Sequence, residues 1–325
     1  MKVTILGAGG FLGRKLADRI ARDGALGAEP VEVLTLFDID PPPPPAAASL
    51  PVRSIGGDVA SLPAAAIPED TAVVFHLAAV VSAAAEADYD LGRRVNVRGT
   101  DAVIDACRGL TQPPRVVFTS SVASFSGGQR AVLADDARQV PANSYGAQKA
   151  IGELLLADAS RRGFLDAVSL RLPTIVVRPG RPNKAASSFV SAIVREPLLG
   201  LPTELPVADD FAVWVASPRR AVDWLLHAAT METGPMGLDR SVNPPGMSVT
   251  VAKLLAALDT ERPGASALVR RISAPDIERI VSAWPAAFDP VRARGLGFAP
   301  HEPIEEVVRA FVEDDLDATR RERGL

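Results

Sequence analysis

The sequence predicts an α/β protein: a doubly wound parallel sheet, followed by a smaller C-terminal α/β lobe that binds substrate. Short β-branched runs alternate with longer helical patterns through the first 175 residues, a glycine-rich turn joins the first run to the first helical pattern, and after Pro173 the alternation loosens. Strand, helix, strand order places helices on both faces of a parallel sheet.

The runs are KVTIL at 2–6, VEVLTLFD at 31–38, VRSIGGD at 52–58, AVVFHLAA at 72–79, RVVFTSS at 115–121 and AVSLRLP at 167–173. Each is short and rich in Val, Ile and Phe, as strands are, and AVVFHLAA is apolar on both sides, which suits a central strand. Between them, FLGRKLADRIARDG, DLGRRVNVRGTDAVIDACRG and SYGAQKAIGELLLADASRRG carry apolar residues three and four apart, the helical period. DPPPPPAAASLP at 40–51 has too much proline for helix or inner strand and reads as a surface loop. Beyond Pro173, ASSFVSAIVREPLLG and SPRRAVDWLLHAATM read as helices. Ser248 is the expected cap of a helix in PPGMSVTVAKLLAALD, and IEEVVRAFVEDDLDATRRERG reads as one charged terminal helix. Residues 1–175 are thus expected to form the cofactor-binding domain, with a segment near 213–245 a candidate to return to it, and 176–325 mainly the substrate lobe.

A chain of 325 residues, 47% apolar and 23% charged, can bury a large core. No apolar run approaches the roughly 18 residues of a membrane span, so no membrane partner is expected. The start imitates a signal peptide, with Lys2 before an apolar stretch, yet no small-residue cleavage site follows. Cys107 is the single cysteine, so no intrachain disulfide can form and a cytoplasmic setting is the expectation. A net charge of −4 offers no basic footprint for nucleic acid.

The string ILGAGGFLG carries Gly7, Gly10 and Gly13 between the first strand and the first helix. Glycine there tightens the turn and lets backbone approach a pyrophosphate, which rests on the amides at the start of the helix opened by Phe11 and Leu12. This is the signature of a Rossmann-type dinucleotide domain. At the end of the second strand, Asp38 is the first carboxylate placed to accept from an adenosine ribose, with Asp40 in reserve; its charge repels a 2′-phosphate and so favours NAD over NADP.

Tyr145 and Lys149 stand at i and i+4 of the helix after the fifth strand, on one face. With two tyrosines in 325 residues, that spacing is expected by chance roughly 0.03 times. A phenol of pKa about 10 becomes a base near neutral pH only if its anion is stabilised, and a neighbouring ammonium does this by charge. Ser121, 24 residues before Tyr145, ends the fifth strand and can hold a substrate oxygen; Ser120 and Thr119 compete for that role. Arg178, Arg181, Arg219 and Arg220 are candidates to bind a substrate carboxylate, since a guanidinium fork matches its two oxygens. Asn183, Ser187 and Ser188 add groups suited to hydroxyls. No metal site is expected.

Taken together, GAGGFLG, Asp38, GGDVAS, FHLAA, Asn96 in RVNVRGT, FTSS, SYGAQK and RLPTIVVRPG are spaced as in the extended short-chain dehydrogenase/reductase family, which this chain resembles over nearly its whole length. The resemblance implies that Asp58 and Val59 flank the adenine, that Leu77, Ala78 and Ala79 line the cofactor channel with Asn96 among the cofactor contacts, and that Pro173 and Thr174 sit near the nicotinamide. It implies Ser121, Tyr145 and Lys149 as the catalytic set. Leu6 and Gln148 depart from the family's frequent Thr and Ser without touching the proton chemistry. Two arginines in SPRR stand where sugar-nucleotide epimerases usually show acids.

Within the family, residues 145–163, 170–189 and 277–289 are similar to enzymes that oxidise the C2 hydroxyl of a four-carbon sugar acid with NAD, which implies D-erythronate as substrate. A nucleotide-sugar epimerase or dehydratase using the same three residues is the alternative, and a cofactor-sensing regulator would be expected to lose the Tyr/Lys pair. The family often pairs through the helix carrying Tyr145 and one near 92–107, so Ile151, Leu154 and Leu155 could seam a homodimer.

Overall fold

The computed structural model describes residues 1–128, 131–181 and 188–325. Seven strands form the large sheet: β1 (Lys2–Leu6), β2 (Val33–Asp38), β3 (Val52–Gly56), β4 (Thr71–His76), β5 (Arg115–Ser121), β6 (Asp166–Leu172) and β7 (Ser241–Val242). Their order is β7-β6-β5-β4-β1-β2-β3, and every pairing is parallel. The order reverses between β1 and β4, which opens a crevice at the carboxyl ends of the strands where ligands bind in such sheets.

The strands are apolar on both sides because both faces are covered. Val3, Ile5, Leu34, Leu36, Val73 and Phe75 share one core with Leu16 and Ile20 of α1 (Phe11–Asp23), and with Trp224 and Leu225 of a later helix. Leu6, Phe37, Val74, Val116 and Phe118 point the other way, onto Val103 and Cys107 of α2 (Gly99–Arg108) and Leu156 of α3 (Ser144–Arg161). Adjacent residues such as Val73 and Val74 thus enter different cores, the strand period of two.

A third core joins Val176 and Val177 to α4 (Ser188–Leu199), α6 (Val251–Glu261) and α7 (Ile304–Asp314). The segment around 213–245 contributes to both regions. Ala212–Ala216 pairs with Thr174–Ile175 in a three-stranded sheet, whereas α5 (Pro218–Thr230) packs on α1 and β7 extends the large sheet beyond β6.

Three local expectations are corrected. Ser248 caps no helix: Met247–Thr250 is a strand antiparallel to Ala212–Ala216, and Thr250 supplies the cap by accepting from the Lys253 N–H. The terminal pattern is two helices, α7 and α8 (Leu316–Arg323), broken at Asp315, which pairs with Lys15 of α1 at 2.9 Å. The helical pattern after Asp88 contains a π-helical turn, Arg93–Arg98, at the site of Asn96.

Candidate active site

The glycine turn begins with Gly7 at φ +87, a conformation open to glycine; a Cβ there would lie 2.5 Å from the Ala78 nitrogen. Gly10 caps α1, whose first turn carries no acid. Gly13 packs the helix onto the turn, since a Cβ would come within 2.1 Å of the Gly7 carbonyl oxygen. Above the turn lies a cleft of about 780 Å³, lined by Gly7, Gly10, Asp38, Asp58, Val59, Leu77, Ala78 and Ala79. The Asp38 carboxylate reaches its rim at the end of β2, held by the Gly9 and Ile39 N–H groups, both at 2.8 Å. Asp58 accepts from Ala60 at 2.9 Å and pairs with Arg94.

Asn96 does not reach this cleft. Its Oδ1 accepts from the Val80 N–H at 2.8 Å, while its Nδ2 donates to the Val80 carbonyl at 2.9 Å and to Gln148 Oε1 at 2.7 Å. Asn96 therefore fixes the loop after β4 to the helix that carries Lys149. The π-turn places it there, as such turns often do at functional positions.

Tyr145 sits in the first turn of α3, which Asn143 caps by accepting from the Gly146 N–H at 2.8 Å. One turn on, Lys149 is 2% exposed, with Nζ 5.6 Å from the Tyr145 ring and 4.5 Å from that of Phe118. Ser121 ends β5; its Oγ accepts from the Ala123 N–H at 3.1 Å and is hydrogen-bonded to Tyr145. The competing hydroxyls are committed elsewhere: Thr119 donates to the His76 carbonyl, and Ser120 donates to the buried Glu153, which also holds Arg171 at 2.8 Å.

The electrostatics differ from the expectation in one respect. Burial raises the Tyr145 phenol above its ordinary value, and the charge opposing it is Arg178, aided by the Ser121 hydrogen bond. Lys149 is itself driven down to about 7 by burial, so its ammonium is disfavoured and it is a weak source of positive potential.

Ser121, Tyr145, Pro173, Thr174 and Arg178 line a second cavity of about 120 Å³, whose walls include Val81, Ser82, Phe211, Trp214 and Trp284. Arg178 is partly buried and desolvation lowers its pKa, yet among the described residues no carboxylate lies within ion-pair distance of it. Its main chain is fixed instead, the N–H donating to Ser191 Oγ at 3.1 Å and the carbonyl accepting from Arg195 at 2.7 Å. Phe11, Arg181 and Ser188 lie around a third pocket next to Arg178. Leu12, in the first turn of α1, packs against the core below the turn.

Arg219 and Arg220 are not brought to the site. Arg219 is held by Glu313 and Asp314 at 2.8 and 2.5 Å, and Arg220 by Glu302 at 3.3 Å. Their partners come from the end of the chain, so SPRR joins α5 to the C-terminal helices instead of offering free cations. Asn183 and Ser187 lie outside the described residues. The wall residues Phe211, Trp214 and Trp284 were invisible as site residues in the sequence; the one available signal was that all three tryptophans fall in the C-terminal half.

With Gly7 open to a close-approaching group and Asp38 at the rim, the residues of this cleft fit a dinucleotide. The NAD dependent epimerase/dehydratase family profile matches residues 3–215, and the chain belongs to that family, an NAD-dependent enzyme class. The chain is 47% identical to D-erythronate dehydrogenase of Cupriavidus necator, over 97% of its own length and 98% of the relative's. It is 38% identical to D-erythronate dehydrogenase of Haemophilus influenzae, over 97% and 100%. The crystal structure of a protein described as the nucleoside-diphosphate-sugar epimerase from Agrobacterium tumefaciens superposes with a TM-score of 0.91 at 44% identity, covering 98% of this chain and 95% of that one.

Proposed function

We propose that the protein oxidises the C2 hydroxyl of a small sugar acid, D-erythronate to 2-oxo-D-erythronate, with NAD. The observation that carries this is the Arg178 guanidinium: partly buried, without a carboxylate among the described residues, and in the same cavity as Tyr145 and Ser121. A cation partly withdrawn from water is stabilised where a partner of opposite charge completes it, and a substrate carboxylate is that partner. The names of the two long relatives support the same substrate.

NAD, when bound, supplies the hydride acceptor; Gly7, Gly10, Gly13, Asp38, Asp58, Val59, Leu77, Ala78 and Ala79 would hold it, with Pro173 and Thr174 at the nicotinamide end. The chain's own residues do the rest. Arg178 binds the carboxylate with two N–H groups and so orients the neighbouring carbon. Ser121 holds the C2 oxygen, Tyr145 as phenolate takes its proton, and Lys149 steadies the Tyr145 face and the adjoining ribose. Trp214 and Trp284 keep water from the reacting centre.

The second reading, an epimerase of nucleotide sugars, is favoured by the likeness to the Agrobacterium tumefaciens protein, which is described as such an epimerase. Against it, the cavity of about 120 Å³ is well below the roughly 300–1,000 Å³ typical of larger ligands. Incubation with NAD separates the two: D-erythronate is expected to yield NADH in proportion to substrate consumed, and UDP-sugars none. Epimerised UDP-sugar without net NADH would overturn the proposal.

We infer also that two copies pair through α3, where Ile151 and Leu154 are 42% and 71% exposed, and that the protein works in the cytoplasm, where its one thiol, buried Cys107, needs no partner. Light scattering at low concentration tests the first and cell fractionation the second.

A further inference from the structure

The cavity that holds Tyr145 and Ser121 is walled unevenly. Its polar side chains are Ser82, Ser121, Asn143, Tyr145, Thr174 and Arg178. The Asn143 carboxamide is already engaged, its Oδ1 accepting from the Gly146 N–H at 2.8 Å and its Nδ2 donating to Ser126 Oγ at 3.1 Å. The wall supplied by the C-terminal half, residues 211–214 with Val281, Trp284 and Pro285, has no hydroxyl, amide or charged side chain. A sugar hydroxyl carried onto that wall would leave water without gaining an acceptor, which is unfavourable.

The two indoles of this wall are held in place. Trp214, on the strand Ala212–Ala216, is 6% exposed and packs with Phe125, Leu133 and Phe288, its ring centroid 5.6 Å from that of Phe288. Gly246 lies against the same indole: a Cβ there would come within 2.8 Å of it. Backbone therefore abuts the ring, and in a close-packed interior it has no room to retreat that way. Trp284 follows the helix Pro275–Ser282, and its N–H donates to the Val281 carbonyl at 3.1 Å. Just beyond it, Ala287–Phe288 pairs in parallel with Val132–Leu133, so the chain on both sides of Trp284 is tied down.

The space these walls leave is about 120 Å³, on the order of four water volumes at about 30 Å³ each, and a carbon of a sugar acid with its oxygen fills roughly one. We propose that Trp214 and Trp284 limit the acid to four carbons, by their bulk and by giving the hydroxyl of a further carbon no acceptor. The proposal rests on the reading that a sugar acid binds here with its carboxylate at Arg178, and it adds which side chains set the length.

Binding measures this limit without turnover. Dissociation constants for straight-chain sugar acids of four, five and six carbons, alike in configuration at C2 and C3, are measured by calorimetry with NADH present. The samples are the native chain, Trp284→Ala and Trp214→Ala. The native chain should bind the two longer acids about tenfold or more weakly than D-erythronate, and in the variants that gap should close to within a few-fold. The ratio between acids is the readout, because a general structural defect weakens all three alike. Trp284 is half-buried, so its variant keeps the fold if Trp214→Ala does not. A native chain that binds all three acids equally, or none of them, would overturn the proposal. So would a gap unchanged in Trp284→Ala and in any folded Trp214→Ala. D-erythronate that binds with the expected gap, yet yields no NADH when NAD is supplied, would sink the oxidation and leave the length limit supported.

Discussion

At the scale of single residues, the chemistry rests on charges that burial makes expensive. The Tyr145 phenolate is opposed by burial and favoured by Arg178, so kcat/KM for oxidation should rise with pH as Tyr145 loses its proton in the free enzyme. Arg178→Met removes the favouring charge and should move that rise to higher pH, while costing roughly 10–100-fold in kcat/KM for the acid. A pH profile that does not move would show that Arg178 exerts no field on Tyr145. The Tyr/Lys pair was legible in the sequence because both partners lie on one turn of one helix. Arg219 was not readable as structural, since its partners Glu313 and Asp314 lie more than 90 positions away. Nor was the bridging of Asn96 to Gln148, which depends on packing between two helices.

At the scale of elements, the glycine turn and α1 act as one unit. A methyl group at Gly13 would come within 2.1 Å of the Gly7 carbonyl oxygen, so Gly13→Ala should push α1 off the turn. Urea denaturation is expected to read a loss of roughly 1–3 kcal/mol, together with weaker NAD binding. Unchanged stability would mean the helix is not seated as described. Strands and helices of the first 172 residues were legible because both faces of the sheet are covered, which makes each central strand a short, mostly apolar run. Ser248 was misread because MSVT is too short to display a period, and its pairing with Ala212–Ala216 is a long-range fact. Thr250→Ala should cost about 1 kcal/mol of stability through loss of the true cap, whereas Ser248→Ala should cost less.

For the whole molecule, two fully buried bases link stability to pH. His76 is held down at about 3 by burial and by the nearby Lys149. Between pH 6.5 and 3 the unfolded chain takes up a proton that the folded one refuses, so stability is lost as pH falls through that window. Lys149, at about 7 when folded against 10.5 unfolded, behaves likewise between pH 7 and 10.5, and below pH 7 its full cost is present. Lys149→Met should therefore raise the melting temperature at pH 6, with stabilisation on the order of 5 kcal/mol, and this gain should fade toward pH 10.5 even as activity is lost. A melting temperature that falls at pH 6 would mean that the packing of Lys149 outweighs its charge.

The central claim is that Tyr145 takes the hydroxyl proton in a cavity whose cation, Arg178, orients a carboxylate. The most direct test is NADH formation from D-erythronate by Tyr145→Phe, with NAD affinity measured on the same sample. Turnover should fall about 10²–10⁴-fold, the usual worth of a positioned proton acceptor, while NAD binding stays near native. Turnover retained within a few-fold, in a variant that binds NAD as the native chain does, would contradict the account.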